Sequence, residues 1–329
     1  MLVTEYPFQV SQLDAAVDLP AIAILINTCQ VADHGENRAT VAKLRERYAD
    51  PSFAVDQDLR LWRNPAGELM AIAELWRQPP DTEFVSHLEF FIHPQAPTTQ
   101  LAEAILAWAE QQVLRLGAQF SVPIVLHAGC RDSLVPRRQL LEQFGFKPER
   151  AFWRLRRSLT EPIPKADAAC DWRLGSVWQL RTVVPTDAEK WVETFNQTFI
   201  DHWNHSPVTV EEFKHWCSRA QYATNLDLVI ETDDGQLAAF AYSEINPERN
   251  DRLGLQEGHV CLLGTRRGYR RLGLGRVLLL ESLHRLQQLG MTTATIGVDA
   301  QNPTGAVKLY QSVGFEPYKS STVYCKVVG

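Results

Sequence analysis

The chain has 329 residues, 45% of them hydrophobic, and a formal net charge of −6. This length suits two domains, and the acidic balance argues against broad nucleic-acid binding, which needs a basic face. The N-terminal segment has no basic stretch before an apolar run, so we expect no signal peptide. No uninterrupted apolar segment reaches the ~18 residues that cross a bilayer, so we expect no membrane partner. The six scattered cysteines include no CxxC pair, which predicts no metal cluster and reduced thiols in a cytoplasmic protein.

Three sequence blocks occur twice in the same order, at an offset of about 170 residues. They are GELMAIAELW at 67–76 and GQLAAFAYSE at 235–244, amphipathic helices at 101–118 and 274–291, and LLEQFGF at 140–146 and LYQSVGF at 309–315. Two copies of one α/β unit are the simplest account. We therefore predict a degenerate domain at 1–160, a proline-containing linker at 161–173 and a second domain at 174–329.

The predicted elements of the second half follow in chain order. Residues 187–219 are expected to be helical with a break at HWNHSP, and a hairpin turns at Asp233-Asp234-Gly235. A strand at 258–265, a long helix at 274–289 and a strand at 292–300 come next. Helices alternating with strands indicate an α/β (α+β sandwich) fold, in which each half is a mixed, mostly antiparallel sheet flanked by helices.

The segment RRGYRRLGLG lies between the predicted strand and the long helix. A helix N-terminus offers unpaired N–H groups and a positive dipole end, which favour an anion, and Gly273 and Gly275 leave room for a phosphate. The segment is strongly cationic because it contains four arginines and a fifth follows it, namely Arg266, Arg267, Arg270, Arg271 and Arg276. Neither GxxxxGK[ST] nor GxGxxG is present, so the alternative is an ordinary strand-to-helix turn with a solvated basic face.

R-x-x-G-x-G at 270–275 resembles the acyl-CoA pyrophosphate loop of the GNAT superfamily of N-acetyltransferases. VDAQNPTGAVKLYQSVGF at 298–315 resembles the segment that completes the cofactor site in that family. The repeat is similar to the tandem, mycothiol synthase-like members. The resemblance implies two tandem GNAT-like domains and an N-acetyltransferase that uses acetyl-CoA as cosubstrate, without a metal, by direct transfer in a ternary complex.

The resemblance implies a set of cofactor-binding residues. They are Leu263, Gly264, Thr265, Arg270, Arg271, Leu272, Gly273, Leu274, Gly275, Arg276 and Asn302. Backbone N–H groups from Leu272 to Arg276 would hold the pyrophosphate, and the strand would pair with the pantetheine arm. The alternative for Gly264 is a packing accommodation, and Asn302 is also expected to cap a helix that starts at Pro303.

The resemblance also implies Tyr310 as the group that protonates the CoA thiolate. His259 stands where the tandem relatives have the glutamate of a G-E-V pattern, and a pKa near 6.5 suits a base; Glu257 and Glu244 compete with it, and a purely structural histidine is the alternative. Trp203, His205 and Glu244 are expected to contact the acceptor, a small-molecule amine or a peptide N-terminus. We interpret Cys261 as a small buried core residue.

In the first half the aligned positions have lost the motif. Pro97, Gln100 and Ala102 stand at the positions of Arg270, Gly273 and Gly275, and Leu141 stands at that of Tyr310. We therefore expect the first domain to be non-catalytic. The competing hypotheses are a protein that binds or senses acyl-CoA without turnover and a purely structural tandem domain. The sequence indicates neither the identity of the acceptor nor an oligomeric state.

Overall fold

The computed structural model describes residues 8–50, 52–78, 80–165, 178–200, 202–203, 207–219, 222–302 and 304–328. The chain forms two compact units, Met1–Ala151 with Ser321–Gly329, and Phe152–Ser320. This division differs from the one placed at 161–173 in the sequence, because the chain changes unit inside two long strands. The rest of the predicted linker, 166–173, lies outside the described residues.

The first unit contains β1 Gln9–Ser11, α1 Ala15–Ala32, α2 Val41–Tyr48, α3 Val55–Asp58, β2 Leu59–Arg63, β3 Leu69–Arg77, β4 Phe84–Ile92, α4 Thr98–Gly117, β5 Ile124–Arg131, α5 Val135–Gln143 and the start of β6 Lys147–Ser158. Its sheet runs β1-β2-β3-β4-β5 and is closed by the last part of the C-terminal strand, β12 Glu316–Val327. Among the described strand pairs of this unit, β4 and β5 are parallel and the others are antiparallel.

The second unit contains β7 Gln179–Thr182, α6 Ala188–Phe199, α7 Val210–Cys217, β8 Asp227–Glu231, β9 Leu237–Ile245, α8 Pro247–Leu253, β10 Glu257–Thr265, α9 Leu274–Gln288, β11 Thr293–Asp299 and α10 Ala306–Ser312. The sheet order is β7-β8-β9-β10-β11-β6. In the part of this unit that the structure describes, β10 and β11 pair in parallel and the other neighbours are antiparallel. Both units therefore have the predicted mixed, mostly antiparallel sheet with one parallel pair at the same place.

Helices cover both faces of the second sheet because side chains alternate along its strands. On one face, Leu228 and Ile230 of β8 pack with Leu274 and Leu278 of α9. On the other face, Val229 packs with an aromatic cluster from α6 and α7 that includes Trp191, Phe195 and Phe213. This two-faced packing is the predicted α+β sandwich. The β10–α9 turn follows the C-terminal end of β10, an internal strand of the sheet.

Among the described helices, α1 is long and apolar enough to cross a bilayer by length and composition alone. Nothing in the sequence predicted this, because Asp18 and Pro20 interrupt its apolar run. In the structure Leu19, Ile22 and Leu25 are buried in a core of the first unit, and Asp18 forms an ion pair with Arg63. These contacts are those of a core helix.

Candidate functional site

The turn between β10 and α9 has a backbone that exposes the first N–H groups of the helix. It passes through a short 3-10 turn at Arg267–Tyr269 and then through two left-handed residues, Arg271 at φ 65° and Gly273 at φ 83°. Gly273 is the N-cap of α9, and no side chain caps the helix there. Because N–H groups of a first helical turn have no intrahelical partner, this N-terminus can accept an anionic group.

Strands β10 and β11 separate just before this turn. Their parallel register runs only from Glu257↔Thr293 to Val260↔Ile296, whereas β10 continues to pair with β9 as far as Thr265. A bulge at Cys261 interrupts the β9–β10 register at the point of separation, and bulges bend a strand. In the described part of the sheet, the segment 262–265 thus has one backbone edge without a β11 partner, which suits an extended ligand arm.

Packing explains the glycine at position 264 but not the glycine at position 275. A Cβ at Gly264 would lie 2.6 Å from Cγ2 of Thr198 and 2.7 Å from the ring of Phe240. Packing inside the protein therefore requires glycine at position 264, as the alternative from the sequence proposed. A Cβ at Gly275 would meet Leu309 at 3.5 Å and Thr265 at 3.6 Å, which are ordinary contacts. Packing does not require glycine at position 275, and the close approach of a ligand there stays a prediction.

Replacing Gly264 with alanine is expected to destabilise the protein by about 1–3 kcal/mol, because the added methyl group overpacks the contact with Thr198 and Phe240. Gly275→Ala should be neutral or slightly stabilising, because the new Cβ fits and glycine weakens a helix. Urea denaturation of the two variants measures this difference. Equal stability of both variants would contradict the packing assignment.

Three of the loop arginines bind neighbouring elements. Arg270 donates from Nη2 to the Thr198 carbonyl at 2.9 Å, in the last turn of α6, and from Nε to the Thr265 carbonyl at 3.3 Å. Arg276 donates from Nη1 to Ser312 Oγ at 2.6 Å, and Arg266 pairs with Glu193. Arg270, which the sequence placed on the pyrophosphate, thus holds the base of the loop, while Arg267 and Arg271 are exposed.

One backbone hydrogen bond reduces the number of N–H groups in the first turn of α9 that could bind the pyrophosphate. The N–H of Arg276 bonds to the Gly273 carbonyl at 3.0 Å. Leu274 and Gly275 lie before it in the first turn of α9, where N–H groups have no intrahelical acceptor. The predicted cradle is therefore centred on the residues that precede Arg276.

Asn302 does not cap a helix starting at Pro303, because α10 begins at Ala306 with Gly305 as its N-cap. Its Oδ1 accepts hydrogen bonds from the N–H of Thr304 at 2.9 Å and from Thr304 Oγ1 at 2.5 Å, in a tight turn after β11. The local turn satisfies the amide oxygen that a helix cap would have used. Its contact with a cofactor stays a prediction.

Tyr310 lies on α10 and is buried at 6% exposure in the core shared by α9 and β11. Burial raises its pKa to about 12. A phenol with this pKa keeps its proton at neutral pH and is a weaker acid than an exposed tyrosine. Its role as the group that protonates the CoA thiolate stays a prediction.

Glu244, His259 and Thr295 occupy one row across three strands, and Glu257 lies two residues before His259 on β10. Glu244 on β9 lies directly opposite His259, and His259 Nδ1 is 3.0 Å from Thr295 Oγ1 on β11. Glu257 pairs with Arg249 at 2.8 Å. Burial, with a smaller contribution from Arg154, lowers the pKa of His259 to about 4. This value lies below the 6.5 of a free imidazole because charging the buried ring costs desolvation energy, and the role of His259 as a base stays a prediction.

Acidification is expected to reduce stability between about pH 6.5 and pH 4, because His259 has a pKa of about 4 when folded and near 6.5 when unfolded. As the pH falls through 6.5 the unfolded chain takes up the proton first, so the unfolded state is favoured until the folded pKa is reached. Urea denaturation across this range should show a smaller pH dependence in His259→Gln than in the parent. An identical dependence would contradict the buried neutral state.

A cavity of about 400 Å³ lies beside the bulge of β10. Its walls are largely aromatic and include Trp191, Phe213, Trp216, Tyr222 and Tyr242. Glu244 lines it as predicted for the acceptor site. Trp203 is not among the described lining residues; its ring packs against Phe152 at 5.8 Å. His205 lies outside the described residues.

Sequence reasoning missed Asp227 and Tyr222 in this cavity. Tyr222 donates its hydroxyl to Asp227 Oδ2 at 2.6 Å, and burial raises the pKa of Asp227 to about 7. Aromatic faces with acidic groups form an environment that attracts a cation. Tyr242 could have been predicted as a cavity residue, because it lies two residues before Glu244 on the same strand face. No local sequence pattern marked Asp227 as a cavity residue.

Cys261 is half-buried at the bulge and lines the cavity, rather than being the buried core residue expected from the sequence. The bulge turns its side chain out of the regular alternation. Burial and the adjacent Glu244 carboxylate raise the pKa of its thiol. The thiol therefore stays protonated at neutral pH and is a poor nucleophile.

The first unit lacks the corresponding loop. β4 ends at Ile92 and α4 begins at Thr98, with Pro97 as N-cap. Gln100 and Ala102, the positions aligned with the two loop glycines, already lie inside α4. A proline N-cap and a continuous helix leave no glycine-lined approach to the first turn.

Comparison with known families matches the acetyltransferase (GNAT) family to residues 188–315. Similar proteins include the mycothiol acetyltransferase of Thermobifida fusca, 28% identical over 61% of this chain and 65% of its own length, and that of Thermobispora bispora, 30% identical over 56% and 60%. The aligned part is thus less than two thirds of these relatives. The mycothiol acetyltransferase of Stackebrandtia nassauensis is 26% identical over 88% of both chains.

Solved structures show the same fold. A GCN5-related N-acetyltransferase from Sphaerobacter thermophilus has a TM-score of 0.73 at 23% identity and covers 98% of this chain and 96% of its own. A tandem GNAT protein from the clavulanic acid biosynthesis pathway has a TM-score of 0.67 at 16% identity and covers 98% and 99%. Residues 188–315 thus match the model of the acetyltransferase (GNAT) family, and the chain has the same fold as these tandem GNAT structures.

Proposed function

We propose that the second unit is an acetyl-CoA-dependent N-acetyltransferase that acts by direct transfer in a ternary complex. The observation that carries this proposal is the junction of β10 and α9. There an unpaired strand edge, 262–265, leads into an uncapped helix N-terminus behind a left-handed glycine. The strand edge suits an extended pantetheine arm with amide groups, and the helix terminus suits a pyrophosphate.

In the proposed reaction the amine nitrogen attacks the thioester carbonyl carbon. The C–N bond forms and the C–S bond breaks, Tyr310 donates a proton to the leaving sulfur, and the proton of the amine passes to His259, Glu244 or Glu257 directly or through water. An N–H of the free β10 edge, at Leu263 to Thr265, stabilises the developing oxyanion. These steps use proton donors and acceptors of the chain alone.

The proposed acceptor is a small primary amine that enters the aromatic cavity. Its ammonium form is attracted by the Glu244 carboxylate and the aromatic faces before it loses a proton, although Arg219 also lines the cavity. The relatives named mycothiol acetyltransferase support an amino-sugar conjugate as one candidate. A peptide N-terminus is the other acceptor class. The protein is proposed to work in the cytoplasm, without a nucleic-acid or membrane partner.

Thiol release from acetyl-CoA across a panel of amino sugars, small amines and short peptides tests the proposal. We expect release with at least one amine, together with a product that mass spectrometry shows to carry one added acetyl group. Calorimetry should find one CoA per chain, because the first unit lacks the loop. Two CoA per chain would contradict the inactive first unit, and tight CoA binding without release would contradict the transferase.

The second candidate function is acyl-CoA binding without turnover. The lowered pKa of His259 favours it, because a ring with a pKa of about 4 is a weak base at neutral pH. This candidate predicts saturable CoA binding and no amine-dependent thiol release with any member of the panel.

A further inference from the structure

Three side chains of the first unit converge on one point of its sheet. His127 lies on β5 and Cys325 lies directly opposite it on β12. Glu149, on β6, places Oε2 2.8 Å from His127 Nε2. The imidazole nitrogen, the thiol sulfur and a carboxylate oxygen lie within 4.8 Å of one another. The sequence expectation of no metal cluster rested on spacing, which does not detect ligands from three separate strands.

The position of this cluster matches that of the candidate base in the second unit. The parallel pair of each sheet ends at Leu88↔Ala128 in the first unit and at Val260↔Ile296 in the second. The preceding pairs are His87↔His127 and His259↔Thr295. The first unit therefore keeps polar groups at this place although it has lost the acyl-CoA loop.

Nitrogen, oxygen and sulfur donors together suit Zn²⁺. A tetrahedral zinc ion with bonds of about 2.0–2.3 Å separates its ligands by roughly 3.3–3.8 Å, so small side-chain rotations would accommodate the ion. The His127 side chain is 2% exposed, and its Nε2 faces the Glu149 carboxylate at 2.8 Å. A water molecule would complete the tetrahedron.

The surroundings of the thiol also favour a cation. The carboxylates of Glu149 and Glu83 interact electrostatically with Cys325, and a divalent ion would compensate their charge. The His87 ring packs edge-on against His127 at 5.1 Å between centroids, which supports the orientation of the ligand ring.

We propose that the first unit binds one Zn²⁺ through His127 Nε2, a carboxylate oxygen of Glu149 and Cys325 Sγ. On binding, the S–H proton of Cys325 is released to solvent and a zinc–sulfur bond forms. The ion links the C-terminal strand to β5 and β6 within the first unit and stabilises that unit by mass action. This site is independent of the proposed acetyl transfer.

The test uses the full chain, freed of metal by chelation and titrated with Co²⁺. We expect a thiolate-to-cobalt charge-transfer absorption that Zn²⁺ abolishes, and one zinc per chain by elemental analysis. Cys325→Ser should remove the absorption and weaken zinc binding at least about 100-fold, more than the loss of an outer-shell partner costs. The control, Cys217→Ser in the second unit, should leave both unchanged.

Glu149→Gln provides a second variant, because its side chain is 37% exposed and the change keeps its shape. It should lower zinc affinity while the thermal midpoint of the metal-free protein stays unchanged. A chelator should lower the thermal midpoint of the parent but not that of Cys325→Ser. Absence of the charge-transfer absorption in the parent, or its persistence in Cys325→Ser, would overturn the proposal.

Discussion

Replacing Gly275 with glutamate is expected to weaken acyl-CoA binding at least about 100-fold, or ~2.7 kcal/mol, while the protein stays folded. The new carboxylate would stand in the first turn of α9, where the proposed pyrophosphate lies. Like charges repel there, and the side chain fills the approach that glycine leaves open. The fold should tolerate the change, because a Cβ at this position meets only ordinary contacts and acidic residues suit a helix N-terminus.

The matched control for this variant is Gln100→Glu. It puts the same charge at an exposed position in the first turn of α4, in the unit that has no loop. Isothermal titration of CoA should show no change in this control and a near-complete loss in Gly275→Glu. Equal affinity in the two variants would remove the anion site from the N-terminus of α9.

Replacing Tyr310 with phenylalanine is expected to lower kcat by about 10²–10⁴-fold, the range for loss of a general acid. The affinity for CoA should stay within a factor of two or so. The ring is buried and remains in place, so only the hydroxyl and its proton are lost. With a pKa of about 12, the parent phenol is protonated throughout the pH range in which the protein is expected to work.

Tyr324→Phe serves as the control for this experiment, because it removes a hydroxyl from the first unit that bonds only to Glu142 at 3.2 Å among the described contacts. Rates of thiol release measured for both variants, with the best amine of the panel, separate the two roles. A Tyr310→Phe enzyme with the parent kcat would exclude the tyrosine as the acid, even if the transferase itself is confirmed.

Much of the fold could be predicted from the sequence because neighbouring residues determine it. The periodic apolar pattern of 274–289 predicted α9, which spans Leu274–Gln288, and the Asp-Asp-Gly turn predicted the hairpin of β8 and β9. The repeated blocks predicted two similar units, and the two sheets share the same order of antiparallel and parallel pairs. The loop glycines and the segment with Asn302 and Tyr310 marked the candidate site through their resemblance to the GNAT cofactor segments, because the glycine pair alone is weak evidence.

The sequence by itself determined the type and order of the elements, because helix and strand periodicity and turn residues act over a few neighbours. Only the tertiary structure decided which strands pair. The sequence therefore did not predict that β6 and β12 each begin in one unit and end in the other. It also decided environments: the pKa of His259 falls because neighbouring strands bury it, and Arg270 binds Thr198 because α6 ends there. Asp227, Tyr222 and the cluster at His127 meet their partners across the sheet or beside it, and such proximity has no signature in local spacing.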